Sequence, residues 1–382
     1  MPYTPPTVNY ATTQGGTYTS LTGIQSVAIN QGRSYFQDNF GVTTCTVELI
    51  PANSYATPLA IGQYLDVRPT NNAADRAFFA GQITDVRRDY EIPYNSGTGA
   101  APADRITITA VGASGIMAAY TFPTSAGTLG AATVTNQLTS VGTAAGVFWV
   151  GSISSTINGS AISLPGQGAL DVMNKIARTA QEFLLDYDNH RNGSPGIYGS
   201  QLLATSLPGN TQNVTFSDTG AIRYNKLSFL SSSELRFNQV NVYPDGFATQ
   251  SSSGTAPFNS LDYYTNNATT GDAASLAGLL YNLFNSQTTP APFVLSTDTA
   301  VDDTWLPIAY FGDQNGNKGY LGAAATVTFR GATVTTQIQR IAVLFTPERA
   351  TLTLNLSPSL GQAFLLDSSQ FGILDTNRMG YP

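Results

Sequence analysis

The sequence predicts a mainly β protein with a smaller α+β part in its middle, and three observations carry that prediction. Short runs of β-branched and apolar residues, separated by turn-rich stretches, fill both ends of the chain. One amphipathic helix, in "ALDVMNKIARTAQEFLLDYDNHRNG" (Ala169 to Gly193), runs straight into a strand and a turn. Only 11% of the 382 residues are charged, against about 25% in an average domain. The 36 Gly, 20 Pro, 19 Tyr and 19 Phe supply turns and bulk, and a hydrophobic content of 42% is enough to fill cores.

Residues 1–22 are Pro/Thr/Gly-rich without periodicity and read as an extended N-terminal arm, disordered alone or pinned by a neighbour. From Ile24 the runs "IQSVAIN", "TTCTVELI", "QYLDVRP", "AFFAGQITDVRRDY" and "DRITITAVGAS" predict a small closed barrel or sandwich. Ile106, Ile108 and Ala110 alternate with Thr107, Thr109 and Val111, the period of a half-buried strand. Gly81 marks a bend or a close backbone approach, and Cys45 reads as a small buried strand residue.

After Tyr120, "TSAGTLGAATVTNQLTSVG" predicts a helix of poor propensity. Leu170, Met173, Ile176, Ala177 and Ala180 recur at helical spacing in the next helix. "EFLLDYD" follows as a strand, Asn192-Gly193 as a turn, and "QLLATSLP" as the return strand. In "LRFNQVNVY", Leu235, Phe237, Gln239 and Asn241 alternate with Arg236, Asn238, Val240 and Val242. Ser251 to Gly271 reads as a low-complexity polar loop. "DAASLAGLLYNLFNS" reads as a short helix with Leu276, Leu279, Leu280, Leu283 and Phe284 on one face and Asp272 as its N-cap. "ATVTFRG", "TQIQRIAVLFTP" and "ATLTLNLSP" return to β, and the absence of a short repeat excludes a solenoid or propeller.

Composition excludes several function classes. Seventeen Lys and Arg against 24 Asp and Glu give a net charge of -7, which offers no basic footprint for a phosphate backbone. A single cysteine builds neither an internal disulfide nor a thiolate metal site. No apolar run approaches the roughly 20 residues of a membrane span, and the N-terminus lacks a signal-peptide pattern. A sparsely charged, Tyr-rich surface suits a subunit buried in an assembly.

His190 is the only histidine and the natural suspect for acid–base work. It sits in a turn between Asn189 and Arg191, with nothing in the sequence to orient it, and reads as an exposed turn residue. Asp186 and Asp188 point to one face of their strand, a placement that would let them share a proton or a cation but reads first as a polar strand end; Asp302 and Asp303 form a second loose pair. Asp188, His190, Asn192 and Gly193 imitate the first half of a calcium loop, but its twelfth position is Gly199 rather than Glu. "DQNGNKG" reads as a hairpin tip. No phosphate-cradling loop or nucleophile elbow is present, and the N-x-[ST] triplets, that at Asn267 included, read as chance. Tyr263 and Tyr264 read as exposed loop tyrosines able to stack on sugar rings. The sequence therefore assigns no catalytic, cofactor-binding or metal residues.

Four phrases, in order, carry a resemblance. They are "AFFAGQITDVRRDY...DRITITAVGASGIMAA", "GALDVMNKIARTAQEFLLDYDNHRNG", "IRYNKLSFLSSSELRFNQVNVYPDG" with its Asn238-Gln239-Val240 core, and "TLTLNLSPSLGQAFLLDSSQFGILDTNRMGY" with Leu366-Asp367 and Leu374-Asp375. Together they resemble the baseplate or tail-tip hub proteins of tailed bacteriophages, often labelled minor tail proteins. The resemblance implies two hub-type β-barrel domains flanking an α+β domain: 23–121 and 225–357, the latter with a polar and helical insertion at 251–290, around 122–224, with a C-terminal extension at 358–382. It implies a homotrimer in which two similar barrels per chain imitate sixfold symmetry and join a sixfold tail tube to a threefold spike or fibre. The implied place is the tail tip of a virion, with a role in host attachment and genome delivery. The implied partners are a distal tail or tube protein, the tape measure protein and a fibre or spike; no enzyme activity and no sequence-specific nucleic acid are implied. A receptor-binding or glycan-binding or glycan-degrading tail protein is the alternative, resting on the tyrosines and on Asp186 with Asp188; an unrelated capsid or tube subunit is the third reading.

Overall fold

The computed structural model describes residues 3–13, 16–50, 58–70, 76–90, 104–150, 157–180, 182–188, 196–202, 212–220, 222–230, 237–254, 259–285, 291–313 and 319–358. The first β region holds β1 (Thr7–Ala11), β2 (Thr19–Ser20), β3 (Ile24–Gly32), β4 (Thr44–Leu49), β5 (Tyr64–Arg68), β6 (Phe79–Asp89) and β7 (Arg105–Val111). The middle holds α1 (Ala113–Ala119), β8 (Thr128–Leu129), β9 (Ala132–Thr133), α2 (Val134–Ala144), β10 (Phe148–Val150), β11 (Asn158–Gly159), β12 (Ile162–Ser163), α3 (Ala169–Ala180), β13 (Glu182–Asp188) and β14 (Gly196–Leu202). The rest is β15 (Asn213–Ser217), β16 (Lys226–Leu230), β17 (Gln239–Pro244), β18 (Gln250–Ser253), β19 (Ser260–Thr265), α4 (Thr270–Asn285), β20 (Ala291–Asp298), β21 (Gly312–Asp313), β22 (Ala324–Phe329), β23 (Ala332–Phe345) and β24 (Ala350–Pro358).

Thirteen strands share one sheet in the order β16-β20-β24-β23-β3-β4-β7-β6-β5-β1-β2, with β22 beside β23 and β15 beside β22. Its two halves repeat one connection pattern. One half reads β3-β4-β7-β6-β5-β1 and the other β16-β20-β24-β23-β22-β15; each runs second, third, sixth, fifth, fourth, first in chain order. Only the final pairing differs in direction, β1 being antiparallel to β5 and β15 parallel to β22. The row Val27, Val47, Ile108, Val86 has its counterpart in Leu227, Leu295, Leu354, Ile341. Both long strands bulge at the same row, at Thr84 in β6 and at Gln339 in β23. The turns into β5 and β22 also match: Gly62 and Gly322 take φ of 88° and 78° and donate their N–H groups to the carbonyls of Ile83 and Ile338, each at 2.8 Å.

The halves are joined by an antiparallel ladder between β3 and the second part of β23, from Val27 opposite Phe345 to Gly32 opposite Arg340. On its inner face Val27, Ile29, Val343 and Phe345 are buried, and the Phe345 ring centroid lies 4.7 Å from that of Phe78. At its far end Arg33 donates to Gln339 Oε1 at 2.8 Å and stacks over Phe40 at 4.3 Å, while Gln339 donates to Ser357 Oγ at 2.7 Å. Burial pushes the Arg33 pKa down to about 10, still far above neutrality. The chains of strands do not, among the described residues, close into two barrels within one molecule. Among the described residues the sheet path runs open from β16 to β2, because β3 and β23 use on each other the edges that closure would need.

The middle region builds a small sheet in the order β10-β14-β13-β21 under α1, α2 and α3. The helix read from the spacing of Leu170, Met173, Ile176, Ala177 and Ala180 is α3, with all but the half-buried Leu170 in the core. The weak helix is α2, capped by Thr133, whose hydroxyl accepts the Asn136 N–H. "EFLLDYD" is β13, and its return strand is β14, which begins earlier than the sequence suggested.

Three readings change. The N-terminal arm is pinned by its own chain, since β1 pairs with β5 and buries Val8, Tyr10 and Ala11. The polar stretch 251–271 is not a loop: β18 and β19 flank β17 in a separate three-stranded sheet, covered by α4. Its serines and alternating Leu261, Tyr263 and Thr265 fit a strand buried on one face. The cap of α4 is Thr269, not Asp272: Thr269 Oγ1 accepts the Asp272 N–H at 3.1 Å and donates to the Asp272 carboxylate at 2.7 Å.

Gly32 (φ 99°) has its missing Cβ position occupied by the Gln339 carbonyl, whereas Gly62 faces open space. Gly32→Ala is expected to destabilise the chain by about 2 to 4 kcal/mol, strain plus overpacking, and Gly62→Ala by about 1 kcal/mol, strain alone. Denaturant midpoints of the two variants check the difference.

Candidate functional site

Asp186, one of the paired carboxylates singled out in the sequence, lies on β13, where that strand meets the first β region, and is 5% exposed. It is held from the β7–α1 junction. The Ser114 N–H donates to Oδ1 at 2.8 Å and the Ser114 hydroxyl to Oδ2 at 2.5 Å. The Thr43 N–H donates in turn to Ser114 Oγ at 2.9 Å, and the Gly112 N–H to the Thr43 carbonyl at 2.9 Å. Gly112 is required here because a Cβ would lie 2.5 Å from Asp186 Oδ2. Burial raises the Asp186 pKa, and hydrogen bonds from Ser114 and Thr43 oppose the shift only in part. The small void beside it is lined by Phe40, Thr43, Leu184 and Leu185 among others, and is far too tight for a sugar or peptide. This carboxyl is a clasp between two parts of the fold.

The other candidates do not gather around it. Asp188 closes β13, while His190, the Asn192-Gly193 turn, the interior of the Asp313–Gly319 tip and residues 359–382 lie outside the described residues. Asp302 accepts bonds from the N–H groups of Thr304 and Arg223 in a surface turn. Cys45 is fully buried in β4, and burial raises its thiol pKa, which suppresses the thiolate. Among the described residues no three His, Cys, Asp or Glu are grouped to hold a metal ion.

A polar cluster that the sequence reading passed over binds the satellite sheet to the middle region. Asn266 accepts from Thr179 Oγ1 at 2.5 Å and donates through Nδ2 to Gln137 Oε1 at 2.8 Å; Gln137 donates to the Gly130 and Ser160 carbonyls. Asn267 donates to the Thr179 carbonyl at 3.4 Å, and Lys175 on α3 pairs with Asp245. Asn266 and Asn267 are buried, so their amides need internal partners. The available signal was the period-two pattern of "SLDYYT", which makes the following Asn-Asn a strand end and not a loop. That strand also separates the two tyrosines. Tyr263 is buried beneath the Arg178 guanidinium, whereas Tyr264 is exposed and stacks on Tyr243 with ring centroids 5.0 Å apart.

No family model and no curated protein matches the sequence. Solved structures do match it over almost its whole length. The 43 kDa tail protein of prophage MuSo2 from Shewanella oneidensis is 11% identical, with 93% of this chain and 98% of that chain covered and a TM-score of 0.60. A tail protein from Neisseria meningitidis MC58 is 11% identical, with 93% and 96% covered and a TM-score of 0.58. The prophage tail protein gp18 from Listeria monocytogenes is 11% identical, with 91% and 94% covered and a TM-score of 0.52. The chain has the fold of phage tail proteins, as the resemblance in its sequence implied.

A carboxyl whose folded pKa is raised contributes stability below its unfolded value, about 3.9, and loses it as pH climbs through the folded pKa. Asp186→Asn is therefore expected to flatten the decline of Tm with pH above about 4, because an amide keeps an acceptor for the Ser114 N–H and gains a donor for Ser114 Oγ. Asp186→Ala leaves two buried donors unsatisfied and is expected to cost about 1 to 3 kcal/mol at every pH. Thermal melts from acid to neutral pH separate the two variants.

Proposed function

We propose that the protein is a structural component of a phage tail tip or baseplate, a trimeric hub that joins a sixfold tail tube to a threefold spike or fibre. The observation that carries this reading is the strand pattern repeated twice in one chain, down to the paired bulges and glycine turns. Two like modules, 23–121 joined by β1 and 225–357 joined by β15, flank the rest of the α+β region at 122–224, and three copies present six of them. The hub barrels are then completed between modules instead of within each one. The sheet face opposite the core supports a water-filled lumen: Thr46, Thr107, Thr109, Thr351 and Thr353 are half-buried, polar and uncharged. In this reading the chain is not an enzyme; its partners are a distal tail or tube protein, the tape measure protein and a fibre or spike, and it acts in attachment and genome delivery.

One observation favours glycan binding as a second reading. Tyr264 and Tyr243 stack at the surface beside Asp262, which accepts from Tyr243 Oη at 3.2 Å and from Asn241 Nδ2 at 2.9 Å. An aromatic pair rimmed by a carboxylate is a suitable sugar platform.

Gold labelling of a tagged full-length chain in purified tails is expected to mark the distal end alone, and label along the tube would overturn the hub reading. Calorimetric titration with host-surface polysaccharide is expected to give no heat; binding that is lost in Tyr264→Ala would favour the second reading.

A further inference from the structure

The two faces of the satellite sheet differ in chemistry. Period-two alternation buries Val240, Val242, Leu261 and Tyr263 on one side. On the other side the parallel register sets Asn241 beside Asp262 and Tyr243 beside Tyr264, with Ser251 of β18 opposite Asn241. Ser251, Asp262 and Tyr264 are exposed there. No strand of the two repeated modules takes part in this sheet.

Hydrogen bonds tie the exposed face together and commit its donors. The Ser251 hydroxyl and Gln239 Nε2 donate to Asn241 Oδ1 at 2.8 and 3.0 Å. Asn241 Nδ2 and the Tyr243 hydroxyl donate to Asp262 Oδ1 at 2.9 and 3.2 Å. The relay converges on one carboxylate oxygen, which fixes the carboxylate and leaves Oδ2 without a donor among the described residues. Asp262 is also the only charged residue in β17, β18 and β19. Beside it Tyr264 is 56% exposed; one face of its ring stacks on Tyr243 at an interplanar angle of 18°, so its exposure lies on the other.

A fixed negative charge with a spare acceptor, next to a bare aromatic face, is complementary to a guanidinium, which is cationic, planar and all donor. Residues i and i+2 of a strand stand about 6.5 Å apart, so one arginine side chain can stack on Tyr264 and reach the Asp262 carboxylate from its rim. The chain already uses half of this pairing on the reverse of the same strand, where the Arg178 guanidinium lies 5.0 Å from the Tyr263 ring centroid, and again where Arg76 lies 5.1 Å from that of Tyr310. A saccharide fits less well. Its hydroxyl oxygens call for donors, and here the Tyr243 and Ser251 hydroxyl protons are given to the sheet's own oxygens. A net charge of -7 favours a basic partner as well.

We infer that this face docks an arginine-bearing segment of a partner protein, the guanidinium lying on Tyr264 and donating to Asp262 Oδ2. Its Tyr, Ser and Asn side chains are those of adaptable protein-binding surfaces. The inference rests on the reading of the chain as one subunit of an assembly, which supplies the partner, and it competes with the glycan reading of the same tyrosines.

The probe is a labelled Gly/Ser peptide with one central arginine, titrated into the full-length chain by fluorescence polarisation, beside the same peptide carrying citrulline in its place. Citrulline keeps the shape and loses the charge, so the arginine peptide is expected to bind about tenfold more tightly. Asp262→Asn keeps an acceptor for Asn241 and Tyr243; it and Tyr264→Ala are each expected to weaken the arginine peptide by about tenfold with the melting temperature unchanged. Equal binding of the two peptides, binding indifferent to Asp262→Asn, or no binding at about 10 mM peptide would overturn the inference. Displacement of the peptide by soluble host-surface polysaccharide would overturn it in favour of the glycan reading, and self-association abolished by Asp262→Asn would make the occupant a second copy instead. The peptide is read out on the isolated chain and the gold label on purified tails, so either reading can fail without the other.

Discussion

Every larger feature of this molecule hangs on one antiparallel ladder, the six residues from Val27 to Gly32 against Arg340 to Phe345. It ties two regions more than three hundred residues apart in sequence into one sheet, and it decides that neither region closes on itself. Its geometry is demanding. Gly32 must adopt a left-handed backbone because the bulged Gln339 presents its carbonyl where a side chain would stand. The same Gln339 also orients Arg33 with its side chain. The bulge re-aims the end of β23 away from β22 and onto β3, the usual consequence of one extra residue in an antiparallel pair. The matching bulge at Thr84 in β6 re-aims a strand end for which the chain contains no further strand among the described residues.

Low charge shapes the rest of the interior. With few ion pairs to spend, the chain joins its parts through amides and hydroxyls: Asp186 with Ser114 and Thr43 at one seam, Asn266 with Thr179 and Gln137 at another, Gln339 with Arg33 and Ser357 at a third. Each group is satisfied by a partner distant in sequence. Such networks hold only in one arrangement, because a partly satisfied buried polar group is costly. They fix how the helical middle sits on the β regions, and the hydrogen bonds to Asp186 and Arg33 offset part of the desolvation that shifts both of their pKa values.

The repeat itself was hidden in the sequence for a definable reason. Its shared identities are few: Gly62 with Gly322, Val67 with Val327, Gln82 with Gln337, Ile83 with Ile338, Thr107 with Thr353. The segments between them differ in length, and the second copy carries β17, β18, β19 and α4 between its β16 and β20, so no fixed period survives. What is kept is a burial pattern and a hydrogen-bond pattern, and neither has a spelling of its own.

Local chemistry was enough to determine many of the elements, though not β1, β18 and β19. Short apolar and β-branched runs placed β3, β4, β22, β23 and β24, and period-two alternation placed β7; helical spacing placed α3; burial of Cys45 and the tight approach at Gly81 followed from their neighbours in the strand. Those are short-range consequences of side-chain direction and backbone sterics, so a sequence states them directly. Which strands pair, which edges stay open, and whether Asp186 is a surface acid or a buried clasp were decided only in three dimensions. Edge partners and burial depend on contacts between residues far apart along the chain. A strand carries no mark of its neighbour beyond the polarity of its two faces.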